Sequence, residues 1–244
     1  MPGPLSVVCG GAHTCALWDV GGAACWGWNV EGMLGLGHTS DKKPVYPILS
    51  AVASATRLHT GRSRHTCADV AEGLVCWGSN DKGQLGAEDT NDRGDQPGEM
   101  DILPVARAPG YSHVAFDQYH TCEIRAGVVS CWGDGVSGRL GVAVSGNVGD
   151  AAGEMDSLAA VDLGGERAVS LSLGSCHTCA LTEAQNVICW GCGDKGQLGL
   201  GHSAGLAAGQ VVTVNQGLGT VKQVSCGSYH TCMVMSDRRV LCTG

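Results

Sequence analysis

The tripeptide His-Thr-Cys stands five times in this chain of 244 residues, opening at His13, His65, His120, His177 and His230, at intervals of 52, 55, 57 and 53 residues. Each copy is followed nine or ten residues later by a second cysteine: Cys25, Cys76, Cys131, Cys189 and Cys242. Four of these open Cys-Trp-Gly, with Trp26, Trp77, Trp132 and Trp190, while Thr243 stands where the fifth tryptophan would be. A Gly-rich turn comes next: Gly32-Met33-Leu34-Gly35, Gly83-Gln84-Leu85-Gly86, Gly138-Arg139-Leu140-Gly141 and Gly196-Gln197-Leu198-Gly199. Self-similarity at a fixed period means one supersecondary unit copied along the chain, each copy burying its apolar face against its neighbours. Few folds satisfy that condition.

Within a unit the pattern is that of strands. Thr14-Cys15-Ala16-Leu17-Trp18 and Leu74-Val75-Cys76-Trp77 are short, rich in β-formers and bounded by turn residues. Ala71-Glu72 and Ala126-Gly127 fit two-residue hairpin turns. An apolar segment precedes the histidine, as at Leu5-Ser6-Val7-Val8 and Val221-Lys222-Gln223-Val224. Another follows the Gly-rich turn, as at Pro44-Val45-Tyr46-Pro47-Ile48 and Leu103-Pro104-Val105. No stretch has a helical period. Four strands in about 50 residues make one propeller blade. The expected fold is therefore all-β, a β-propeller of about five four-stranded blades in a single repeat domain. The blades run roughly over 5–50, 51–104, 105–163, 164–214 and 215–244, the last incomplete.

The pattern Gly-x-x-His-Thr-Cys-Ala-Leu, followed by Cys-Trp-Gly-x-Asn/Gly-x-x-Gly-Gln-Leu-Gly, resembles the repeat of the regulator of chromosome condensation family over nearly the whole chain. Members usually close a ring of seven blades. The resemblance thus implies part of such a ring, with a smaller ring closed at five as the alternative. The chain opens almost directly on a repeat and stops inside one, which reads as a piece of something longer.

Ten of the fourteen cysteines occupy the two repeated positions. Cys67 with Cys76 and Cys122 with Cys131 are symmetric about the two-residue turns, and Cys15–Cys25, Cys179–Cys189 and Cys232–Cys242 about Val20, Ala184 and Asp237. Directly opposed residues of an antiparallel pair lie close enough for a disulfide, so a bridge is expected in each hairpin. Small, reduced core thiols are the alternative. In the fourth repeat, Cys176-x-x-Cys179 and Cys189-x-x-Cys192 have zinc-site spacing. The two pairs nevertheless share one hairpin centre and lie three residues apart, hence on opposite faces of the sheet. Two bridges, Cys176–Cys192 and Cys179–Cys189, are the expectation rather than a metal. Cys9 and Cys226 share a repeat position and would meet only if a five-blade ring closed. Paired cysteines in this number favour an extracellular or other oxidising compartment, with cytoplasm or nucleus, where the family's best-known members work, as the alternative.

Fifteen basic against 23 acidic residues give a net charge of −8 with no basic cluster, so no nucleic-acid partner is expected. No run of about 18 apolar residues exists, so no membrane span is expected. A histidine recurring once per blade does one structural job five times, tying strand to loop, and the recurrent tryptophan is a packing anchor between blades. Two longer loops repeat an acidic pattern, Gly94–Asp101 and Gly149–Asp156. Their ligand order matches no calcium loop, and their acids are expected to point into water. They are still the candidate binding surfaces, through Asp95, Glu99, Asp101, Asp150, Glu154 and Asp156. No nucleophile elbow, phosphate loop or metalloprotease motif is present, so no catalytic residue, cofactor or metal is expected. The expected function is a non-enzymatic scaffold for a protein partner. Family relatives use such faces against small GTPases, chromatin, ubiquitin-ligase substrates and a β-lactamase. Guanine-nucleotide exchange on a small GTPase, or a structural arm of a larger secreted or surface protein, are the alternatives.

Overall fold

The computed structural model describes residues 4–18, 22–40, 52–144, 146–203 and 205–244. The segment Pro44–Ile48 and the turn centre at Val20 lie outside them. The chain divides into two compact units, Met1–Pro109 with Gly149–Asp156, and Gly110–Val148 with Ser157–Gly244.

In the first unit, β1 (Pro4–Cys9), β2 (His13–Trp18) and β3 (Ala23–Gly27) form an antiparallel three-stranded sheet. Strands β4 (Arg57–His59), β5 (His65–Val70), β6 (Gly73–Gly78) and β7 (Val105–Arg107) form a four-stranded one. The second sheet reaches past the expected boundary at 104, because Val105 pairs with Val75 and Arg107 with Leu74. Cys15, Leu17, Met33, Leu34, Leu58 and Trp77 pack as the core of this unit.

The second unit holds three sheets. Strands β8 (His113–Phe116), β9 (His120–Arg125) and β10 (Val128–Gly133) form the first, with Ala160 bridging Ser130 in the fourth-strand place. Strands β11 (Ala168–Leu173), β12 (His177–Thr182), β13 (Val187–Gly191) and β14 (Val212–Thr213) form a four-stranded sheet. The last is β15 (Val221–Cys226), β16 (Thr231–Met235) and β17 (Val240–Thr243). Among the described residues, then, two sheets have the expected four strands and three have three. Arg125 pairs with Val128 across Ala126-Gly127, both at positive φ, the twist that a two-residue hairpin turn requires.

Candidate functional site: the staples between repeats and the loops they leave free

The recurring histidine does not tie strand to loop within its own blade. His13 Nε2 meets Thr66 Oγ1 of the next repeat at 2.7 Å. His120 meets Thr178, and His177 meets Thr231, each at 2.9 Å. The threonine hydroxyl has one proton, and it goes to the carbonyl at the second position of the preceding Gly-rich turn. Thr178 donates to Arg139 O at 3.0 Å and Thr231 to Gln197 O at 2.9 Å, with a longer contact of 3.4 Å from Thr66 to Met33 O. The histidine must therefore donate, which fixes its neutral Nε2–H form. The tryptophan indole closes the staple on the same carbonyl: Trp77 Nε1 donates to Met33 O at 3.1 Å and Trp190 to Arg139 O at 2.9 Å. His-Thr-Cys, Cys-Trp-Gly and Gly-x-Leu-Gly are thus the parts of one device joining consecutive blades.

Burial reinforces the neutral state. Desolvation holds His13 and His177 down to about 4; His65, desolvated and repelled by His13, falls to about 3. His230, in the last repeat, lies exposed. Packed beneath His177 is Gly174, where a Cβ would fall 2.2 Å from the ring. A glycine is required there by space, its φ being ordinary.

The cysteines lie opposed as their register demands. Cys15–Cys25, Cys67–Cys76, Cys122–Cys131, Cys179–Cys189 and Cys232–Cys242 are disulfide-bonded with Cα atoms 4.1 Å apart. Cys176–Cys192 is bonded at 5.5 Å, just beyond the strand ends. Cys9 and Cys226 are free thiols. Burial raises the Cys226 thiol to about 11.

The glutamates of the acidic loops depart from the expectation that their carboxylates point into water, while Asp101 and Asp156 meet it. Glu99 Oε2 accepts from the backbone N–H of Gly94, Asp95 and Gln96 at 2.9, 3.1 and 2.9 Å. Glu154 Oε2 repeats this with Gly149, Asp150 and Ala151 at 2.8, 3.1 and 3.1 Å. Both glutamates are consumed in building their own loops, each replacing the water that three backbone donors would otherwise need. The glycines opening these loops lie against earlier Gly-rich turns, Gly94 on Gly32 and Gly149 on Gly83, where a side chain would collide with backbone. Asp95 and Asp150 are half-buried; Asp101 and Asp156 are exposed.

Two open clefts stand out among the described residues. In the first unit, a cleft of about 770 Å³ is lined by Asp81, Asp92, Asp95 and Glu99 beside Ile102 and Pro104. Asp92 is raised above the usual carboxylate range, chiefly by desolvation and further by Asp95, Glu31 and Asp81. In the second unit, a groove of about 830 Å³ is lined by Tyr119, Asp134, Arg139, Asp194, Tyr229 and the Cys176–Cys192 bridge. Arg139 is nearly buried; its Nη1 contacts Asp134 Oδ2 at 3.1 Å and donates to Ser175 O at 3.1 Å. The sequence reading passed over this groove. Its signal was departure from the repeat: Arg139 stands where the other turns have Met33, Gln84 or Gln197, and Asp134 where others have Trp28, Ser79 or Cys192.

Sheets stapled blade to blade through a shared polar relay define a repeat-built β-propeller. Two family models, each described as a regulator of chromosome condensation (RCC1) repeat, match residues 186–234 and 168–197. The chain is 28% identical over 235 residues to the human E3 ubiquitin-protein ligase HERC2, covering 93% of this chain and 5% of that one. It is 29% identical to the ultraviolet-B receptor UVR8 of Arabidopsis thaliana, covering 97% and 52%. The chain therefore spans about half or less of these relatives. Among solved structures it is similar to human WBSCR16, with a TM-score of 0.77 at 19% identity over 98% of this chain and 61% of that one. Prp20p of Saccharomyces cerevisiae gives 0.74 at 18%, over 99% and 58%. Residues 168–234 thus match regulator of chromosome condensation repeats, and the same motif recurs in the earlier part of the chain.

Proposed function

We propose that this propeller is a non-enzymatic scaffold that binds a protein partner through its non-repeating loops, in an oxidising compartment. The observation that carries the reading is where the polar groups go. His13, His120 and His177, Thr66, Thr178 and Thr231, and the indoles of Trp77 and Trp190 are spent between blades, and Glu99 and Glu154 inside their loops. What is left facing solvent is irregular: Tyr229, 53% exposed, at the groove, and Ile102, 80% exposed, at the acidic cleft. Large exposed apolar side chains beside charged ones are the composition of a protein-binding patch. Relatives support a binding role by what their names say: HERC2 is a ligase and UVR8 a receptor, and one Prp20p structure concerns binding to Gsp1p and histones. Six bridged cysteine pairs support the compartment. The test places a photo-reactive residue at Tyr229 or Ile102 in the intact protein in its native setting. A discrete protein adduct from these positions, absent when the probe sits at the exposed hairpin residue Val128, supports the reading. No adduct, or equal adducts from Val128, contradicts it. Accelerated GDP release from a small GTPase would replace it with nucleotide exchange.

A further inference from the structure

Five of the six disulfides fall at the repeated positions, and the sixth does not. Cys176 precedes β12 and Cys192 follows β13, with the Cys192 N–H donating to Cys176 O at 2.9 Å. This bridge lines the groove of the second unit, while Cys179 and Cys189 of the same hairpin are fully buried. A carboxylate is already there: one oxygen of Asp194 and both sulfurs lie within 4.8 Å of one another. Gln197 Nε2 holds the cluster together, 2.9 Å from Cys192 Sγ and 3.4 Å from Asp194 Oδ1. The neighbouring charges leave it open to a cation. Lys195 pairs with Asp194 at 3.2 Å, but both side chains are more than half exposed, where such a pair is weak. Arg139, the other cation of the groove, is matched by Asp134.

We propose that the Cys176–Cys192 bridge is a reducible switch whose open form, with Asp194, binds a soft divalent cation such as Zn²⁺. A dithiol reductant supplies two electrons and two protons: the S–S bond breaks, two thiols form, and the reductant closes to its own disulfide. The metal then displaces both thiol protons and forms two metal–sulfur bonds, with the carboxylate as third ligand and water as fourth. Sulfurs about 2.3 Å from a tetrahedral Zn²⁺ stand roughly 3.8 Å apart. Side chains on Cα atoms 5.5 Å apart reach that separation by rotation alone. Two thiolates and a carboxylate suit zinc or cadmium and not magnesium or calcium. The four-cysteine site that the spacing suggests is not formed, since Cys179 and Cys189 are bonded to each other within the core.

The intact chain is treated with graded dithiothreitol, freed of it without air, mapped by alkylation and titrated with Cd²⁺ followed by thiolate charge-transfer absorption. The expected result is that Cys176 and Cys192 open while Cys67–Cys76, Cys122–Cys131 and Cys179–Cys189 stay closed. The reduced protein then binds one Cd²⁺ per chain more than Cys192→Ser does, and Asp194→Asn binds it about tenfold more weakly or worse. Three results overturn the proposal: hairpin bridges that open no later than Cys176–Cys192, equal Cd²⁺ uptake by the reduced protein and Cys192→Ser, or an Asp194→Asn titration like that of the parent.

Discussion

Replacing Thr231 by valine keeps the shape of the side chain and removes the one hydroxyl on which the last staple depends. Thr231 is fully buried and lies between His177 Nε2 and Gln197 O, at 2.9 Å from each. Valine leaves a buried imidazole N–H and a buried carbonyl without this partner. His177 has no compensation at hand, because its Nδ1 is also without a hydrogen bond and the ring is held neutral. A buried group so orphaned costs about 1–3 kcal/mol, so the pair should cost about 2–6 kcal/mol, against almost nothing for the change in volume. Urea unfolding is the assay: with a slope of about 2–3 kcal/mol per molar, the midpoint should fall by roughly 1–2 M. Thr14→Val is the control. Thr14 is half-buried in the first repeat, with no side-chain hydrogen bond among the described residues, and its loss should stay within about 0.5 kcal/mol. Equal effects of the two substitutions would refute the staple, since both remove the same chemical group from the same motif.

Three further outcomes follow from the same geometry. His13, His65 and His177 sit well below the free value of 6.5, so protonation favours the unfolded chain. Stability is full above pH 6.5 and falls toward pH 4, by roughly 1 kcal/mol per histidine at pH 5.5; a flat urea midpoint between pH 7 and 5 contradicts this. Gly174→Ala places a methyl 2.2 Å from the His177 ring and 2.6 Å from Gly227 O, so it should destabilise by about 1–3 kcal/mol although its φ is ordinary. An unchanged melting temperature would show that the ring moves freely. Glu154→Gln weakens the acceptor of three backbone N–H groups and should cost about 1–2 kcal/mol, whereas Asp156→Asn on the exposed rim of the same loop should cost nothing measurable. The reverse order in thermal melts would return the loop to a solvated turn.

The fold was legible because its determinants are local and copied five times. The spacing from His120 to Cys131 already fixes a hairpin about Ala126-Gly127, and symmetry about that turn places Cys122 opposite Cys131. What the sequence concealed lies between copies. A histidine and threonine adjacent in one tripeptide invite a bond within it, yet the partners come from consecutive tripeptides, as with His177 and Thr231. Stacking of repeats, which no local window contains, decides that. Glu99 was misread for a related reason: its partners are three N–H groups of a loop that has no regular structure until the carboxylate gathers them. The groove was invisible because it gathers Tyr119 and Arg139 of the third repeat, Asp194 of the fourth and Tyr229 of the fifth, which no local window contains.

The propeller is stapled by disulfides, and the proposed function places its partner on the irregular loops and outside the reducing cytosol. Peptide mapping of protein taken from its native source, with free thiols alkylated before unfolding and no reductant added, tests it most directly. The account expects alkylation at Cys9 and Cys226 alone, with Cys15–Cys25, Cys67–Cys76, Cys122–Cys131, Cys179–Cys189, Cys232–Cys242 and Cys176–Cys192 recovered as linked peptides. Alkylated hairpin cysteines throughout would contradict it and move the search for a partner into the cell.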